Sequence, residues 1–298
     1  MQRTEQEITS EKIGWLINKS YLQGIIWMVL CCFTSAVSDA LMKCAGHLNS
    51  FQVVFIRSLF GLLILAPFIM RYKRLPLRTV SIKPHINRTL VGAAAITLMC
   101  YSTTLLSLPK VTVLSFSQPL FLLPMAVIFL KEKITKQRLL ANFFGFCGVL
   151  IALNPQNIGF FAAETLAPIT SALLFTYLDI VTKKLTYLEK PLTLVLYFYL
   201  GVTFFTGIVA VFTWSALTQY DLILLCLLGM SALLNQTSSL MSLSVTSILS
   251  LAPLRYAELI FSCFISIFLF QEAPAYSVLL GGALIISSVL YITYVELT

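Results

Sequence analysis

Leu251-Ala252-Pro253-Leu254-Arg255-Tyr256-Ala257-Glu258 lies in the middle of an apolar run from about Thr246 to Phe270. As a helix rising ~1.5 Å per residue, that run is long enough to cross the ~30 Å hydrocarbon core of a bilayer. Arg255 and Glu258 are three residues apart and so share one helical face. They fall roughly 14 to 18 Å from the start of the run, near the bilayer midplane. An arginine or a carboxylate at that depth costs about 2.5–3.5 kcal/mol on insertion scales unless a partner or a water-filled cavity relieves it. The stretch therefore predicts a polar site inside a membrane protein.

The composition agrees. Of 298 residues, 58% are hydrophobic and 11% charged, with a mean hydropathy of +0.91; a soluble domain carries about 25% charged residues. The seven cysteines (Cys31, Cys32, Cys44, Cys100, Cys147, Cys226 and Cys263) fall mostly in apolar runs without CxxC spacing, which argues against a disulfide framework or metal site. His47 and His85 are the only histidines, and both fall in expected loops, so no histidine-based metal cluster is expected. There is no Gly-rich phosphate loop, no ATPase motif and no nucleophile–base set in the apolar runs, so no cofactor or catalytic group is expected.

Apolar runs separated by short breaks predict ten spans, at 21–44, 51–70, 89–107, 111–130, 138–153, 161–182, 192–214, 222–243, 246–270 and 276–295. The first is too long for a signal-peptide core and reads as a retained helix after a 1–20 tail. With the N-terminus inside, 16 of the 20 lysines and arginines fall in cytoplasmic segments. Lys43 and Lys110 lie toward the outer face, and Arg57 and Arg255 lie within spans. Both termini are thus expected to be cytoplasmic. The +8 net charge becomes a topology signal, and nucleic-acid binding drops out.

Markers recur 140 residues apart: Asp39 with Asp179, Lys43 with Lys183, Gly61 with Gly201, Glu132 with Glu272, and Val149-Leu150 with Val289-Leu290. The start of the ninth span instead matches at an offset of 134, Val111-Thr112…Pro119-Leu120 against Val245-Thr246…Pro253-Leu254. Two halves of five spans, 21–153 and 161–295, must run in opposite directions because five is odd. The expected fold is an all-α membrane protein of ten transmembrane helices arranged as two inverted five-helix repeats.

Polar stripes mark the candidate lining. They include Ser35, Ser38 and Asp39 in the first span, Thr97, Tyr101 and Thr104 in the third, and Ser115 and Gln118 in the fourth. Thr176, Tyr177 and Asp179 follow in the sixth span, and Ser231, Asn235, Ser238 and Ser242 in the eighth. Such stripes line aqueous paths or hold helices together by small-residue packing and hydrogen bonds. Arg255 and Glu258 either neutralise each other structurally or serve a substrate, and desolvation weighs against a purely structural pair. Arg57 reads as a helix-locking or snorkelling cation. The pairs Asp39–Lys43 and Asp179–Lys183, at opposite membrane faces, are candidate gates or ordinary helix-end pairs. Glu132 and Glu272 read as turn carboxylates, and Glu164 as an interfacial one. Pro119, Pro124, Pro253, Gly201 and Gly207 interrupt regular helix, as moving transporter helices require.

Phe51-Gln52-Val53-Val54-Phe55-Ile56-Arg57-Ser58-Leu59-Phe60-Gly61 resembles the second-helix signature of EamA-type members of the drug/metabolite transporter superfamily. Phe129-Leu130-Lys131-Glu132, followed by Gly145 and Gly148-Val149-Leu150, resembles that family's turn and fifth helix. Three stretches look closer to one branch, the S-adenosylmethionine transporters of obligate intracellular bacteria. They are Val113 to Phe121, Leu178 to Lys184 and Ala252 to Leu259. The resemblance implies a secondary transporter of the bacterial inner membrane, with S-adenosylmethionine and S-adenosylhomocysteine as its small-molecule partners. Arg255 would clamp the substrate carboxylate. Glu258, Asp39 or Asp179 would face the ammonium, and Tyr101, Tyr177, Tyr256 or Trp27 the sulfonium or adenine. Ser115, Gln118 and Asn235 complete the expected lining. The alternatives are an exporter of amino acids or other metabolites with the same fold and, more remotely, an intramembrane enzyme or scaffold.

Overall fold

The computed structural model describes residues 2–70, 79, 81–106, 111, 114–153, 163–271 and 276–297, and every regular element among them is helical. Among the described residues, ten helices of 13 residues or more follow one another: α1 (Gln2–Cys44), α2 (Ser50–Met70), α3 (Ile82–Leu105), α4 (Gln118–Leu130), α5 (Lys136–Leu153), α6 (Ala163–Thr186), α7 (Pro191–Ala210), α8 (Gln219–Val245), α9 (Ala257–Phe270) and α10 (Tyr276–Leu297). Among the described residues, six segments are long and apolar enough to cross a membrane, and the apolar stretches Leu120–Leu130 and Leu280–Val295 are shorter. Lys110, Glu272 and the basic segment 71–78 lie outside the described residues, as do the side chains of residues 1–20 and of Glu164.

Buried apolar clusters fill the bundle, and small and polar residues fix which helices pair, because lipid tails compete equally well for apolar side chains. α1 runs antiparallel to α8. Ser242 Oγ donates to Gly24 O (2.8 Å), Asn235 Nδ2 to Cys31 O (3.0 Å), and Ser38 and Ser231 share a hydroxyl contact (2.9 Å). The eighth-span stripe is thus largely the seam between two helices. α3 packs antiparallel on α6 in the same manner, with Ser171 Oγ donating to Ala95 O (2.8 Å) and Arg88 Nε to Thr182 Oγ1 (2.8 Å). α5 meets α10, α2 meets α7 and α8, α7 meets α3, α9 meets α1, and α4 meets α6. In the α5–α10 contact a Cβ on Gly148 would stand 2.8 Å from Gly281 O, a backbone atom that cannot turn aside.

Four boundaries differ most from expectation. α1 begins at Gln2, within the expected 1–20 tail. α3 begins at Ile82, seven residues before the expected 89, so His85 and Arg88 belong to a helix rather than a loop. Pro84 is tolerated there because first-turn N–H groups have no helical acceptor. Both polar side chains are buried with partners: His85 Nε2 contacts Glu189 Oε2 at 2.9 Å, and Arg88 Nη1 donates to Leu194 O at 2.8 Å. The expected 111–130 helix is interrupted: Val111, Leu114 and Ser115 are helical, Phe116 and Ser117 form a turn, and α4 starts at Gln118. The expected 246–270 helix is broken into a turn at Ile248–Leu251, a 3₁₀ turn at Pro253–Tyr256, and α9. Pro253 has no N–H for the α-helical ladder, and Arg255 N bonds three residues back, to Ala252 O (3.3 Å).

Side chains close the helix ends. Lys183 Nζ donates to Leu243 O (2.6 Å) and Thr246 O (2.7 Å) at the end of α8. Glu132 accepts from Ser247 Oγ (2.6 Å) and faces the amides of Ile248 and Leu249, both at 3.4 Å. Thr218 and Asp221 form a capping box at the start of α8. Lys131, after α4, and Gln271, after α9, both take a left-handed φ of 55°.

Candidate functional site

α1, α2, α3, α6, α8, the start of α4 with the turn before it, and the 3₁₀–α9 junction line a cavity of about 160 Å³ whose walls carry Asp39, Arg57, Asp179, Arg255 and Glu258. One water occupies about 10–15 Å³ on this measure, so the cavity admits several. Water and opposite charge together make five ionisable side chains tolerable inside a helical membrane bundle.

Arg255 and Glu258 do not neutralise each other. The 3₁₀ turn places Arg255 toward α6, where Nη2 lies 2.8 Å from Asp179 Oδ2, with the two side chains 15% and 11% exposed. That contact is an ion pair by distance, but Arg255 Nε and Nη2 make no aligned hydrogen bond. The aligned donor to Asp179 Oδ2 is Gln118 Nε2, at 2.8 Å. Glu258 stands at the start of α9, which packs on α1, and lines the same cavity as Ser35 and Asp39. Arg57 is the second cavity cation. Its Nη1 reaches Met42 Sδ at 3.8 Å, its buried Nε has no hydrogen-bond partner, and its charge acts on Asp39.

Of the expected site residues, Arg255, Glu258, Gln118, Ser115, Asn235, Asp39 and Asp179 line this cavity. The others lie elsewhere. Tyr256 is fully buried against α5, where its hydroxyl donates to Asn142 Oδ1 (3.2 Å) and its ring lies where a Cβ on Gly145 would stand. Tyr101 is exposed, Trp27 is half-buried outside the cavity walls, and Tyr177 accepts from Asn87 Nδ2 (2.7 Å). Lys183 serves the end of α8, and Lys43 is half-buried at the end of α1. Arg57, Ser35 and Phe175 line the cavity without having been assigned to a binding site from sequence. The Ser35-Ser38-Asp39 stripe already pointed to this face of α1.

Residues 22–154 match the EamA-like transporter family. Over 279 residues the chain is 34% identical to the S-adenosylmethionine uptake transporter of Rickettsia prowazekii (strain Madrid E), covering 93% of this chain and 95% of that protein. The chain belongs to the EamA-like transporter family. This transporter is also 28% identical to the riboflavin transporter of Brucella anthropi, over 89% of this chain and 96% of the relative. A crystal structure shares its fold at a TM-score of 0.78 with 14% identity, covering 93% of this chain and 97% of the other. The protein is accordingly a multi-pass transporter of the bacterial inner membrane and not an enzyme.

Proposed function

We propose that the chain carries S-adenosylmethionine across the inner membrane by alternating access, in exchange for S-adenosylhomocysteine. One observation carries the reading. Near-full-length relatives at 34% identity are S-adenosylmethionine uptake transporters, and the cavity presents groups suited to that molecule. Its methionyl end is a zwitterion. Arg255 offers a guanidinium whose Nε and Nη2 have no aligned acceptor, and a substrate carboxylate supplies one. Asp179, beside it, receives the ammonium. Gln118, Ser115 and Asn235 supply neutral hydrogen-bonding groups along the same walls.

Alternating access rests on ten transmembrane helices in two inverted halves, with both termini in the cytoplasm. The pairings support this plan. Exchanging α1–α5 with α6–α10 turns the α1–α8 contact into α6–α3, α2–α8 into α7–α3, and α1–α9 into α6–α4, all of which occur. The seams agree to the residue, since 31 meets 235 as 171 meets 95, each position shifted by 140. The left-handed residues Lys131 and Gln271 stand 140 apart as well. At that offset the counterparts of Arg255 and Glu258 are Ser115 and Gln118, and Gln118 lines the cavity with Asp179 as Glu258 does with Asp39. Lys43 and Lys183, also 140 apart, are the gate residues at opposite membrane faces. Tyr101, Tyr177, Tyr256 and Trp27 enter contact with the substrate only if the halves move.

Purified protein in liposomes loaded with unlabelled S-adenosylhomocysteine should accumulate labelled S-adenosylmethionine, and Arg255→Ala should abolish that accumulation while leaving extractable, folded protein. Absence of uptake with either internal load would reject the assignment. Uptake of riboflavin or an amino acid instead would favour another cargo for the same fold.

A further inference from the structure

The two cavity aspartates stand 140 residues apart but meet different groups. Asp179 is answered by Gln118, whose amide N–H donates to Oδ2 at 2.8 Å. Asp39 has Glu258 at the corresponding place, lining the same cavity from α9, which packs on α1. An amide always has a hydrogen to give. Two carboxyl groups brought together have none unless a proton lies between them, and two bare carboxylates repel. A contact between Asp39 and Glu258 is therefore conditional where the Asp179–Gln118 contact is permanent.

The surrounding groups leave that condition unmet by other means. Arg57 on α2 acts on Asp39 but has no ion-pair contact with it, and Arg255 at the 3₁₀ turn is committed to Asp179 on α6. α1 itself contributes Ser35 and the thiols Cys31 and Cys32, and α8 contributes neutral Asn235, Gln236 and Ser239. α3 adds Met99 to the cavity wall and Cys100 near Arg57. Among the described residues, two guanidinium groups thus face three carboxyl groups in one cavity, one positive charge short of balance.

We propose that the Asp39–Glu258 pair is a site for one exchangeable positive charge, filled by a proton or by the substrate sulfonium, but not both. The inference rests on the S-adenosylmethionine reading and deepens it. Arg255 in the 3₁₀ turn and Glu258 at the start of α9 line the same cavity, three residues apart along the chain. In S-adenosylmethionine the sulfonium is three bonds from the α-carbon, about 4 Å at ordinary bond lengths. A methionyl end held by Arg255 and Asp179 places its sulfonium at the carboxyl pair.

The charge balance then closes. S-adenosylmethionine brings one net positive charge, and the shared proton leaves to water as it binds. S-adenosylhomocysteine has a thioether in place of the sulfonium, carries no net charge and leaves the proton where it is. Inward S-adenosylmethionine exchanges for outward S-adenosylhomocysteine plus one proton, and the cycle moves no net charge.

Isothermal titration of the purified transporter near pH 7, in buffers of different ionisation enthalpy, counts protons released on binding. We expect about one per S-adenosylmethionine and about none per S-adenosylhomocysteine. Glu258→Gln supplies the missing hydrogen permanently, as Gln118 does for Asp179, and should release none with either ligand. Wild-type binding of S-adenosylmethionine without proton release, or equal release by both ligands, overturns the proposal and leaves the substrate reading intact. No binding of either ligand overturns both. Because the wild-type count decides, a Glu258→Gln protein that fails to fold does not rescue the idea.

Discussion

Arg255 and Asp179 join the broken ninth span to α6, and removing one charge should cost more than removing both. Asp179→Asn keeps the shape of the side chain but leaves Arg255 facing the cavity without its counter-charge. A buried pair broken in this way loses about 3–5 kcal/mol, whereas an exposed pair is worth about 0–1 kcal/mol. With side chains 15% and 11% exposed beside a cavity that admits water, the expected cost lies between these limits, about 2–3 kcal/mol. Arg255→Met should cost a similar amount by stranding Asp179, softened by the Gln118 amide that still donates to it. The double variant strands neither charge. It should be more stable than the sum of the single losses predicts by about 1–3 kcal/mol. Denaturant titration in detergent micelles, followed by circular dichroism, measures the four corners of the cycle. Single losses that add to within about 0.5 kcal/mol would show that the 2.8 Å contact carries no coupling, and the account of the site would fall with it. Both single variants and the double should lose ligand binding, so stability and recognition separate within one set of proteins.

Substitutions at three further positions test how the scaffold holds this site. Gly148→Val forces a side chain against Gly281 O and should destabilise by about 1–3 kcal/mol; an unchanged unfolding midpoint would show that α5 and α10 do not meet as described. Lys183→Met removes both donors to Leu243 O and Thr246 O. It should lower stability by about 2–3 kcal/mol and raise hydrogen exchange at the end of α8; unchanged exchange there counts against the closure. Thr218→Ala breaks the capping box of α8 and should cost about 1 kcal/mol in the same titration, whereas Thr218→Ser should cost much less.

Much of this architecture was legible because hydrophobic length and charge position are set by the bilayer. Asp39 and Asp179 stood out for the same reason, as charges repeated at one spacing in apolar surroundings. The partners of Arg255 and Glu258 were not legible. Helical spacing places them on one face, but Pro253 converts the backbone before Glu258 to 3₁₀ geometry, and Arg255 reaches α6 while Glu258 opens the helix that packs on α1. Tyr256 is adjacent to Arg255 in sequence yet buried against Asn142 and Gly145, since neighbouring helical residues point in different directions. Arg57 looked peripheral when counted along its span, because distance along a helix does not reveal which neighbour its side chain meets. His85 and Arg88 were placed in a loop because polar residues end an apolar run. Glu189, Thr182 and the Leu194 carbonyl, distant in sequence, are what bring them into a helix.

The differences between the halves bear on specificity more directly than their likeness. α1 and α6 each supply an aspartate, at residues 39 and 179, to one cavity. What answers each aspartate is not duplicated. Asp179 has a cation and an amide, Arg255 and Gln118, and is satisfied in every protonation state of the cavity. Asp39 has a second carboxyl group and a guanidinium that does not pair with it. A site built from two copies of the first arrangement would suit a zwitterion at each end and leave no preference for an added positive charge. One built from two copies of the second would hold too much negative charge to remain buried. One of each suits a ligand with a zwitterionic end and a separate cation, so on the proposed reading the preference for such a ligand rests on Arg255 and Glu258, at the positions that correspond to Ser115 and Gln118 at an offset of 140.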